Sequence, residues 1–449
     1  MKKQNKKISF VTLGCEKNLV DTEIMMGLVE KENYQITDKK EEADIIVINT
    51  CGFIDASKEE SVNTILEIND YKQGNLKSLI VTGCLSQRYK EELMREIPEI
   101  DGLMGTNDFD KIVSLIEETL LGKKPIYMGN PIYSYEEVVP RKRSTPFYHA
   151  YIKVAEGCDN NCTFCVIPSI RGKFRSRGIP SIVTEAKDLV AQGVKEISII
   201  AQDTTFYGMD KYGKIMLPEL IRELSQIDGL QWIRLHYLYP GYFTEELMDE
   251  MANNPKVCKY IDMPLQHSED HILKKMLRPG RQVDIRKLIE KIRSKIPDVA
   301  LRTSIIVGFP GEAEQDFQQL LDFIEEIKFD RLGVFTYSEE EGSPAARLPD
   351  QVPQEVKEKR SNQLMEVQRE IAKDKNARFV DQIMDVLLEK FDEENKVYIG
   401  RTQYDAPEID GEVFVTNTTG KIGDIIKVKI THSYDFDLVG EGIEGESSK

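Results

Sequence analysis

Apolar runs alternate with amphipathic stretches along the first third of the chain. Three of these runs, at residues 8–14, 44–50 and 79–83, are continuous and rich in Val and Ile, and each is followed by apolar positions at helical spacing. Continuous apolar strands between helices are typical of a parallel sheet covered on both faces. The pattern therefore predicts a doubly wound parallel α/β domain over residues 1–125.

The alternation breaks between about residues 125 and 146. Gly129, Asn130, Pro131 and Pro140 fall in this stretch together with the basic run 141–143. Clusters of Gly, Asn and Pro punctuate regular structure. We expect an exposed linker here.

A second β/α series follows the linker and runs to about residue 350. Its six candidate strands lie at residues 151–155, 196–201, 232–237, 260–263, 301–307 and 331–337. Six units are too few to close an eight-stranded barrel. The series predicts a partial (β/α)6 barrel over residues 146–375, and a long charged helix at about 353–379 is expected to connect it to the last domain.

The last stretch of the chain changes to short alternating strands. Candidates at residues 397–401, 412–415 and 425–431 are separated by turns rich in Gly, Asn and Asp. This pattern is typical of a small antiparallel β-barrel, which we place at residues 378–445. The fold class is therefore a multidomain α/β protein with a terminal β-barrel.

Composition and charge narrow the classes of partner. The 449 residues include 60 Lys+Arg against 77 Asp+Glu, a formal net charge of -17. An acidic surface repels nucleic acid and favours basic partners, although it also serves solubility. No stretch has the apolar length of a membrane span, and the apolar run after the basic N-terminus is too short for a secretory signal. We expect a cytosolic protein.

Three of the seven cysteines lie on one short loop, as Cys158-x-x-x-Cys162-x-x-Cys165. Three thiolates can bind three irons of a [4Fe–4S] cube and leave the fourth iron open to a small ligand. Zinc is the alternative, but a structural zinc site has four ligands and this loop carries no fourth Cys or His. The spacing favours the cluster.

Three further cysteines follow the first three predicted strands: Cys15, Cys51 and Cys84. Because the carboxyl ends of parallel strands meet at one edge of a sheet, these thiols are expected to converge. Any one of them alone could be an ordinary buried cysteine. Together they predict a second three-ligand cluster, whereas Cys258 has no partner and is assigned to the core.

The three-cysteine loop after the first strand of a partial β/α barrel resembles the signature of radical S-adenosylmethionine enzymes. The resemblance implies a catalytic site at Cys158, Cys162 and Cys165. There the amino and carboxylate groups of S-adenosylmethionine chelate the open iron, and one-electron reduction yields a 5′-deoxyadenosyl radical. Phe164 matches the aromatic residue that packs near the adenine in this superfamily, and it would equally suit a core position.

Two clusters, an α/β domain, a radical barrel and a terminal barrel of the type called TRAM together resemble the methylthiotransferase family over essentially the whole chain. The resemblance implies two [4Fe–4S] clusters and S-adenosylmethionine as cofactors. It implies that the cluster on Cys15, Cys51 and Cys84 carries the sulfur to be inserted. One S-adenosylmethionine methylates that sulfur, and another generates the radical that activates a substrate C–H bond.

The family has two branches with different substrates. One modifies an adenosine of transfer RNA and typically has a Gly-Cys-Gln-Met-Asn run. The other modifies the β-carbon of an aspartate in small-subunit ribosomal protein S12. TLGCEKNLVDTE around Cys15, CGFIDASKEES and RTQYDAPEIDG resemble the ribosomal-protein branch.

The charge of the last domain favours the same branch. Residues 381–449 contain 7 Lys+Arg against 16 Asp+Glu, a difference of -9. An acidic module is poorly suited to RNA and well suited to a basic ribosomal protein. We therefore expect S12, alone or within the ribosomal subunit, and an electron donor as partners, with no membrane and no stable RNA binding by the last domain. A transfer-RNA methylthiotransferase and a non-catalytic iron–sulfur carrier or zinc scaffold stay open as alternatives.

Several barrel residues match the family's cofactor pocket. Gln202, Asp203, Gln266, Arg302 and Gly308, the last in the run GFPGE, lie on or just after predicted strands. Catalytic residues of β/α barrels lie at the carboxyl ends of the strands. Glycine there permits close approach of a ligand, and it equally suits a tight turn.

Two other groups have alternative interpretations. The basic stretch of Arg171, Lys173, Arg175 and Arg177 is either a solvated surface or a contact for the carboxylate of the cofactor or of the acidic target. His236 is expected to be a hydrogen-bonded core residue rather than a ligand.

Overall fold

The computed structural model describes residues 6–129, 139–278 and 280–447. The chain forms a parallel α/β sheet, then a partial β/α barrel, then a closed β-barrel. None of the described helices has both the length and the apolar character needed to cross a bilayer.

The N-terminal unit is a six-stranded, all-parallel sheet in the order β2-β1-β3-β4-β5-β6. Ile45 and Val47 pack into the core on one face, and Ile46 and Ile48 into the core on the other, so the doubly wound architecture is confirmed. Its elements are β1 (Lys7–Thr12), α1 (Glu16–Lys31), β2 (Gln35–Ile36), β3 (Ile45–Thr50), α2 (Asp55–Asn69), β4 (Ser78–Gly83), α3 (Cys84–Glu96), β5 (Gly102–Met104), α4 (Ile112–Leu120) and β6 (Ile126–Tyr127).

The partial barrel contains two three-stranded parallel sheets, in the orders β11-β10-β7 and β12-β13-β14. Its elements are β7 (His149–Lys153), β8 (Ala155–Glu156), α5 (Ile167–Arg171), β9 (Arg175–Ser176), α6 (Ile179–Ala191), β10 (Glu196–Ile200), α7 (Met209–Tyr212), α8 (Leu217–Ser225), β11 (Trp232–Leu235), α9 (Glu245–Asn253), β12 (Tyr260–Asp262), α10 (Asp270–Lys275), α11 (Gln282–Lys295), β13 (Ala300–Val307), α12 (Glu314–Ile327), β14 (Arg331–Thr336) and α13 (Gln354–Ala377).

The two sides of the barrel strands differ in chemistry. Ala150 and Ile152 of β7 pack outward into the core shared with the surrounding helices. Their neighbours His149 and Tyr151 stack against each other, and Tyr151 also contacts His236, which follows β11. The partial barrel therefore encloses a polar and aromatic interior, which suits a reaction chamber better than a packed apolar core.

The C-terminal unit is a closed five-stranded barrel in the order β15-β16-β17-β19-β18. Its strands are β15 (Ile383–Asp392), β16 (Val397–Thr402), β17 (Val413–Thr416), β18 (Ile425–Ser433) and β19 (Leu438–Ser447). The sequence pattern predicted the middle strands and missed β15 and β19. The β17–β19 pair is parallel, while the other four pairs are antiparallel.

The stretch predicted as an exposed linker is more ordered than expected where it is described. Gly129 and Pro140 lie at the edges of the described residues, whereas Asn130 and Pro131 lie outside them. β6 extends the sheet to Tyr127. Arg141 is buried, because its guanidinium pairs with Glu23 of α1 and, at 2.7 Å, with Glu185 of α6. The basic run therefore fastens the N-terminal unit to the barrel.

The terminal barrel docks on the amino ends of the partial-barrel strands. Glu196, the first residue of β10, pairs with Arg401 of β16 and with Arg234 of β11 at 2.7 Å. Apolar residues of both units, including Trp232 and Leu387, form one buried cluster around this contact. The carboxyl ends of the barrel strands are thereby left to face the N-terminal unit.

Candidate functional site

Cys15, Cys51 and Cys84, called here the auxiliary triad, lie at the carboxyl edge of the N-terminal sheet. Cys15 precedes α1, Cys51 follows β3 directly, and Cys84 is the first residue of α3. Gly14 has a positive φ of 85°, and a Cβ there would lie 2.8 Å from Cys51 Cβ. Only glycine allows the Cys15 and Cys51 loops to approach this closely.

Asn18, one turn into α1, connects all three cysteine loops. Its amide donates to the Leu13 carbonyl, two residues before Cys15, at 2.9 Å and to the Thr50 carbonyl, one residue before Cys51, at 3.1 Å. Its side-chain oxygen lies 3.9 Å from Cys84 Sγ. The sequence interpretation missed this residue, although its position three residues after Cys15 was a usable signal.

The Cys84 thiol is buried at the domain boundary. Burial raises its pKa to about 12, the nearby Arg171 guanidinium opposes that rise, and the Cys15 and Cys51 thiols add to it. Cys84 packs against Val166 and Ile170, which follow the other cysteine loop. The two cysteine sites are thus joined through one small apolar cluster.

Cys158, Cys162 and Cys165, called here the radical triad, lie on the loop between β8 and α5. The Cys158 amide donates to the Gly172 carbonyl at 3.1 Å, and the Cys165 amide donates to the Cys162 carbonyl at 3.0 Å. Burial raises the pKa of Cys158 to about 11 and that of Cys165 to about 12. Thiols with such raised pKa values are weak nucleophiles when free, whereas a bound metal deprotonates them outright.

The donor sets of the triads bear on which metal group they fit. Each triad offers three thiols, and three thiolates can hold three irons of a [4Fe–4S] cube and leave the fourth iron open. A structural zinc site takes four ligands instead. Among the described residues, the one group of three ligand side chains whose donor atoms all lie within 4.8 Å of one another is Glu269, His271 and Asp316 on the barrel surface. The chemistry of the donor sets therefore fits the cluster.

Polar groups at the barrel rim surround the radical triad. Asp203, two percent exposed, accepts hydrogen bonds from Asn160 at 2.8 Å and Thr205 at 2.6 Å, and burial raises its pKa. Gln202 donates to Glu156 at 2.9 Å, while its buried side-chain oxygen has no partner among the described residues. Such an orphaned acceptor is suited to an N–H or O–H group of a bound cofactor.

Three other predicted cofactor residues lie near the same rim. Phe164 is half-buried and packs on the cluster that contains Phe309 and Tyr337. Gln266 has a positive φ of 77°, a strained conformation for a residue with a side chain. Gly308 also has a positive φ, and a Cβ there would collide with Lys357 of α13. Gly308 is thus explained by helix packing.

Arg302 does not lie at the rim. It is the third residue of β13, towards the amino end of that strand, and it pairs with Asp262 at 2.8 Å. Its Nε also lies 3.6 Å from Asp410, on the loop of the terminal barrel that reaches into the partial barrel. Both neighbouring carboxylates belong to the chain itself, and the role of Arg302 in cofactor binding stays a prediction.

The basic stretch after the radical triad is mostly buried, so the interpretation as a solvated surface is wrong for Arg171 and Arg177. Arg171 pairs with Glu156 at 2.9 Å and Asp21 at 3.2 Å, and Arg177 pairs with Glu185 at 2.7 Å. Arg175 donates to Asn107 at 3.1 Å, and Lys173 is exposed. The carboxylates that meet these arginines are the protein's own.

Lys17 was also missed by the sequence interpretation. It lies two residues after Cys15, is six percent exposed, and places its ammonium 3.2 Å from the ring centroid of Tyr237 at the barrel rim. It donates to Glu16 at 3.0 Å. Burial opposes ionisation of Glu16, but Lys17 and then His236 and the Tyr237 hydroxyl hold its pKa at about 2. A cation of the N-terminal unit thus enters the barrel.

His236 differs from its prediction in one respect. It is buried as expected, and burial lowers its pKa to about 4. Its Nε2 has no hydrogen-bond partner among the described residues. Together with Gln202, it gives the interior a second orphaned polar atom.

Comparisons with known proteins agree with this division of the chain. Residues 7–105 match a model described as Uncharacterized protein family UPF0004, residues 152–324 match the Radical SAM superfamily, and residues 380–443 match the TRAM domain.

Two relatives are similar to nearly the whole chain. The ribosomal protein uS12 methylthiotransferase RimO of Desulforamulus reducens is 51% identical over 97% of this chain and 99% of its own length. The protein of the same description from Geobacter sulfurreducens is 51% identical over 98% and 99%. A solved radical S-adenosylmethionine methyltransferase, TsrM from Kitasatospora setae, has a TM-score of 0.57 at 14% identity over 74% of this chain and 75% of its own, which shows a shared fold.

Proposed function

The chain belongs to the ribosomal protein uS12 methylthiotransferase RimO family, and we propose that it inserts a methylthio group at the β-carbon of an aspartate in ribosomal protein uS12. It is a radical S-adenosylmethionine enzyme whose cofactors are [4Fe–4S] clusters and S-adenosylmethionine. Membership of the family confirms the enzyme class and cofactors that the cysteine motifs predicted.

The observation that carries the proposal is the convergence of two three-thiol sites across one domain boundary. Cys84 of the auxiliary triad packs on Val166 and Ile170, which lie one and five residues after Cys165 of the radical triad. A single cluster would suffice for radical formation. A second site beside it is the feature that sulfur insertion requires.

Each triad would hold one cluster through three irons, and Gln202 and Asp203 would bind polar groups of S-adenosylmethionine at the rim. When bound, these groups supply a reductively generated radical and the sulfur for the new carbon–sulfur bond. The chain itself supplies burial. Cys162 and Cys84 are almost fully buried, so water has little access to these two ligands.

Lys17 is the residue we assign to the substrate carboxylate. Its ammonium has three N–H donors and gives one to Glu16, and it lies inside the rim rather than at the surface. A charge-assisted hydrogen bond from Lys17 to the aspartate side chain would hold the β-carbon beside the auxiliary triad. Glu16 accepts a hydrogen bond from Lys17 at 3.0 Å, and the Tyr237 ring lies against the ammonium, so both residues hold Lys17 at the rim.

The acidic terminal barrel supports a protein substrate over transfer RNA. Its 16 Asp+Glu against 7 Lys+Arg disfavour the counterion release that drives RNA binding and favour encounter with a basic ribosomal protein. A cytoplasmic location, where ribosomal proteins are found, follows from this proposed substrate.

The test is anaerobic turnover followed by mass analysis. The enzyme, reconstituted with iron and sulfide, is incubated with uS12, S-adenosylmethionine and a low-potential reductant. We expect a methylthio mass gain on one uS12 aspartate. The matched variant C158A/C162A/C165A should keep the auxiliary cluster, so that its iron falls from about eight to about four per chain, and should give no product.

Two outcomes would contradict the proposal. A methylthio gain on transfer RNA with unmodified uS12 would reassign the substrate to the other branch. Zinc without sulfide in the purified protein would leave no basis for radical chemistry.

A further inference from the structure

Arg171 approaches the auxiliary triad from the segment that ends the radical loop. It is the last residue of α5, one percent exposed, and its guanidinium donates to Asn18 Oδ1 at 2.6 Å and to Glu156 at 2.9 Å. The same Asn18 Oδ1 lies 3.9 Å from the Sγ of Cys84, the buried member of the auxiliary triad. One side-chain oxygen thus connects the guanidinium to the Cys84 thiol.

Arg278 contacts the radical triad in a comparable way. Its Nη1 lies 3.8 Å from Cys162 Sγ and donates to it, and Nη2 donates to the Pro264 carbonyl. The guanidinium lies 4.1 Å from the ring centroid of Tyr239. Three groups from three separate barrel segments thus hold this arginine against a cluster thiol.

The two arginines differ in how their charge is balanced. Arg171 pairs with Asp21 and Glu156, whose carboxylates offset its charge. In the described ranges, Arg278 makes contacts with a sulfur, a carbonyl and an aromatic ring and no ion pair within 4.0 Å. Its positive charge therefore acts more fully on the neighbouring site.

We propose that Arg171 and Arg278 are positioning residues that each raise the reduction potential of one cluster, Arg171 through Cys84 and Arg278 through Cys162. Hydrogen bonds to cluster sulfurs and nearby positive charge stabilise the more negative, reduced state. This inference rests on the proposed assignment of the triads to clusters. It adds that the potentials of the two clusters are set separately, by one guanidinium each.

The experiment measures each cluster alone in the full-length chain. C15A/C51A/C84A leaves the radical cluster, and C158A/C162A/C165A leaves the auxiliary cluster. Each protein is reconstituted anaerobically, checked for iron and sulfide, and titrated with redox mediators while the reduced cluster is quantified by electron paramagnetic resonance. Failure to bind iron and sulfide in these parents would contradict the proposed function itself, separately from the arginine inference.

C15A/C51A/C84A is called here the radical-only protein, and C158A/C162A/C165A the auxiliary-only protein. In the radical-only protein, Arg278→Met is expected to lower the ratio of reduced to oxidised cluster at least tenfold at the midpoint potential of the parent. This corresponds to a midpoint potential lowered by about 59 mV for a one-electron couple. Arg171→Met should leave that midpoint unchanged. In the auxiliary-only protein, Arg278→Met should leave the midpoint potential unchanged, and Arg171→Met should lower the ratio of reduced to oxidised cluster about threefold. This effect is smaller because two carboxylates offset the charge of Arg171. Lys variants, which keep the charge, should recover part of each shift.

Arg281→Met is the matched control, since it removes an exposed arginine three residues from Arg278 that pairs only with the nearby Asp284 at 3.2 Å among its described contacts. Equal shifts for Arg281→Met and Arg278→Met would overturn the inference, and so would unchanged potentials in variants that keep full iron content.

A second measurement covers the case in which Arg171→Met fails to fold. The auxiliary-only protein is prepared with ¹⁵N-labelled arginine, and nuclear coupling to the reduced cluster is measured by electron–nuclear double resonance. Coupling from a guanidinium nitrogen supports the inference. Absence of that coupling refutes it for Arg171.

Discussion

His149 provides a test of how burial in the barrel interior affects stability. Its Nε2 hydrogen-bonds with Ser198 at 3.1 Å, and its ring stacks edge-on with Tyr151 at 4.6 Å between centroids. Burial lowers its pKa from 6.5 to about 3, and Glu196 only partly offsets that shift. The folded protein therefore keeps this imidazole neutral over a range in which the unfolded chain would protonate it.

The pH dependence of the free energy of unfolding follows from the difference in His149 pKa between the folded and unfolded states. Between pH 6.5 and 3 the unfolded state binds the extra proton, so the free energy of unfolding falls as pH falls below 6.5. Because pH 5 lies about 1.5 units below the pKa of His149 in the unfolded chain, the free energy of unfolding at pH 5 is lower by about 2 kcal/mol, at 1.36 kcal/mol per unit. His236, whose pKa is lowered to about 4, adds a loss of the same sign.

The assay is urea unfolding of the cluster-free, reduced protein at pH 7.5 and pH 5.0, a range above most carboxyl titration. Trp232 is the one tryptophan of the chain, and it lies buried where the terminal barrel docks, so its fluorescence reports on this region. His149→Gln should reduce the loss of stability between the two pH values by about 2 kcal/mol. His432→Gln, which removes an exposed histidine, should leave that loss unchanged. An undiminished pH-dependent loss in His149→Gln would refute the reasoning.

Three further substitutions test other contacts. Gly14→Ala places a Cβ 2.8 Å from Cys51 Cβ at a positive φ, so we expect reconstituted iron to fall by about half; full iron content would contradict this reading of the loop. Lys17→Met should raise KM for uS12 by about tenfold to a hundredfold, the loss of one charge-assisted hydrogen bond, and an unchanged KM would remove Lys17 from substrate binding. Arg401→Met leaves Glu196 with one fewer cationic partner and should destabilise barrel docking by about 3–5 kcal/mol in tryptophan-detected unfolding; equal midpoints for variant and parent would contradict that value.

Local patterns were sufficient to predict three neighbouring strands of the N-terminal sheet (β1, β3 and β4), the barrel strands and the positions of the cysteines. Buried parallel strands are continuous apolar runs, and their carboxyl ends meet at one edge whatever the details of packing. Cys51 and Cys84 could therefore be placed at one edge of the sheet from strand ends alone. The same logic placed Gln202 and Asp203 near the radical triad.

The failure to predict β19 has a physical explanation in the glycines of that strand. β19 contains Gly440 and Gly442, and glycines in a sequence pattern usually indicate a turn. A Cβ at Gly440 would lie 2.5 Å from Val428 Cγ1, and one at Gly442 would lie 2.7 Å from Thr418 Cβ. These glycines serve close packing inside the barrel, which only the folded structure reveals.

The burial of charged residues was the hardest feature to predict. A run of charged residues is typical of a solvated surface, and only its ion-pair partners show that it is buried. Arg171 and Asp21 are 150 residues apart in sequence and meet only when the two units dock. Arg141 and Glu23 are 118 residues apart and meet in the same way. No local pattern in the first unit indicates that its helix α1 buries Asp21 and Glu23 against the barrel.

The buried charges of α1 also constrain how the two cluster sites are held. Cys15 and Asn18 belong to the same short segment, and Asp21 on the next turn pairs with both Lys153 and Arg171 of the barrel. Separating the units would break these pairs and return both partners to water, so each pair contributes less to docking than the about 3–5 kcal/mol that deleting one buried partner costs. The same ion network that docks the domains nevertheless holds the segment of Cys15 and Asn18 against the barrel. The aspartate of the proposed substrate would therefore reach Lys17 in a space that the docked units already form.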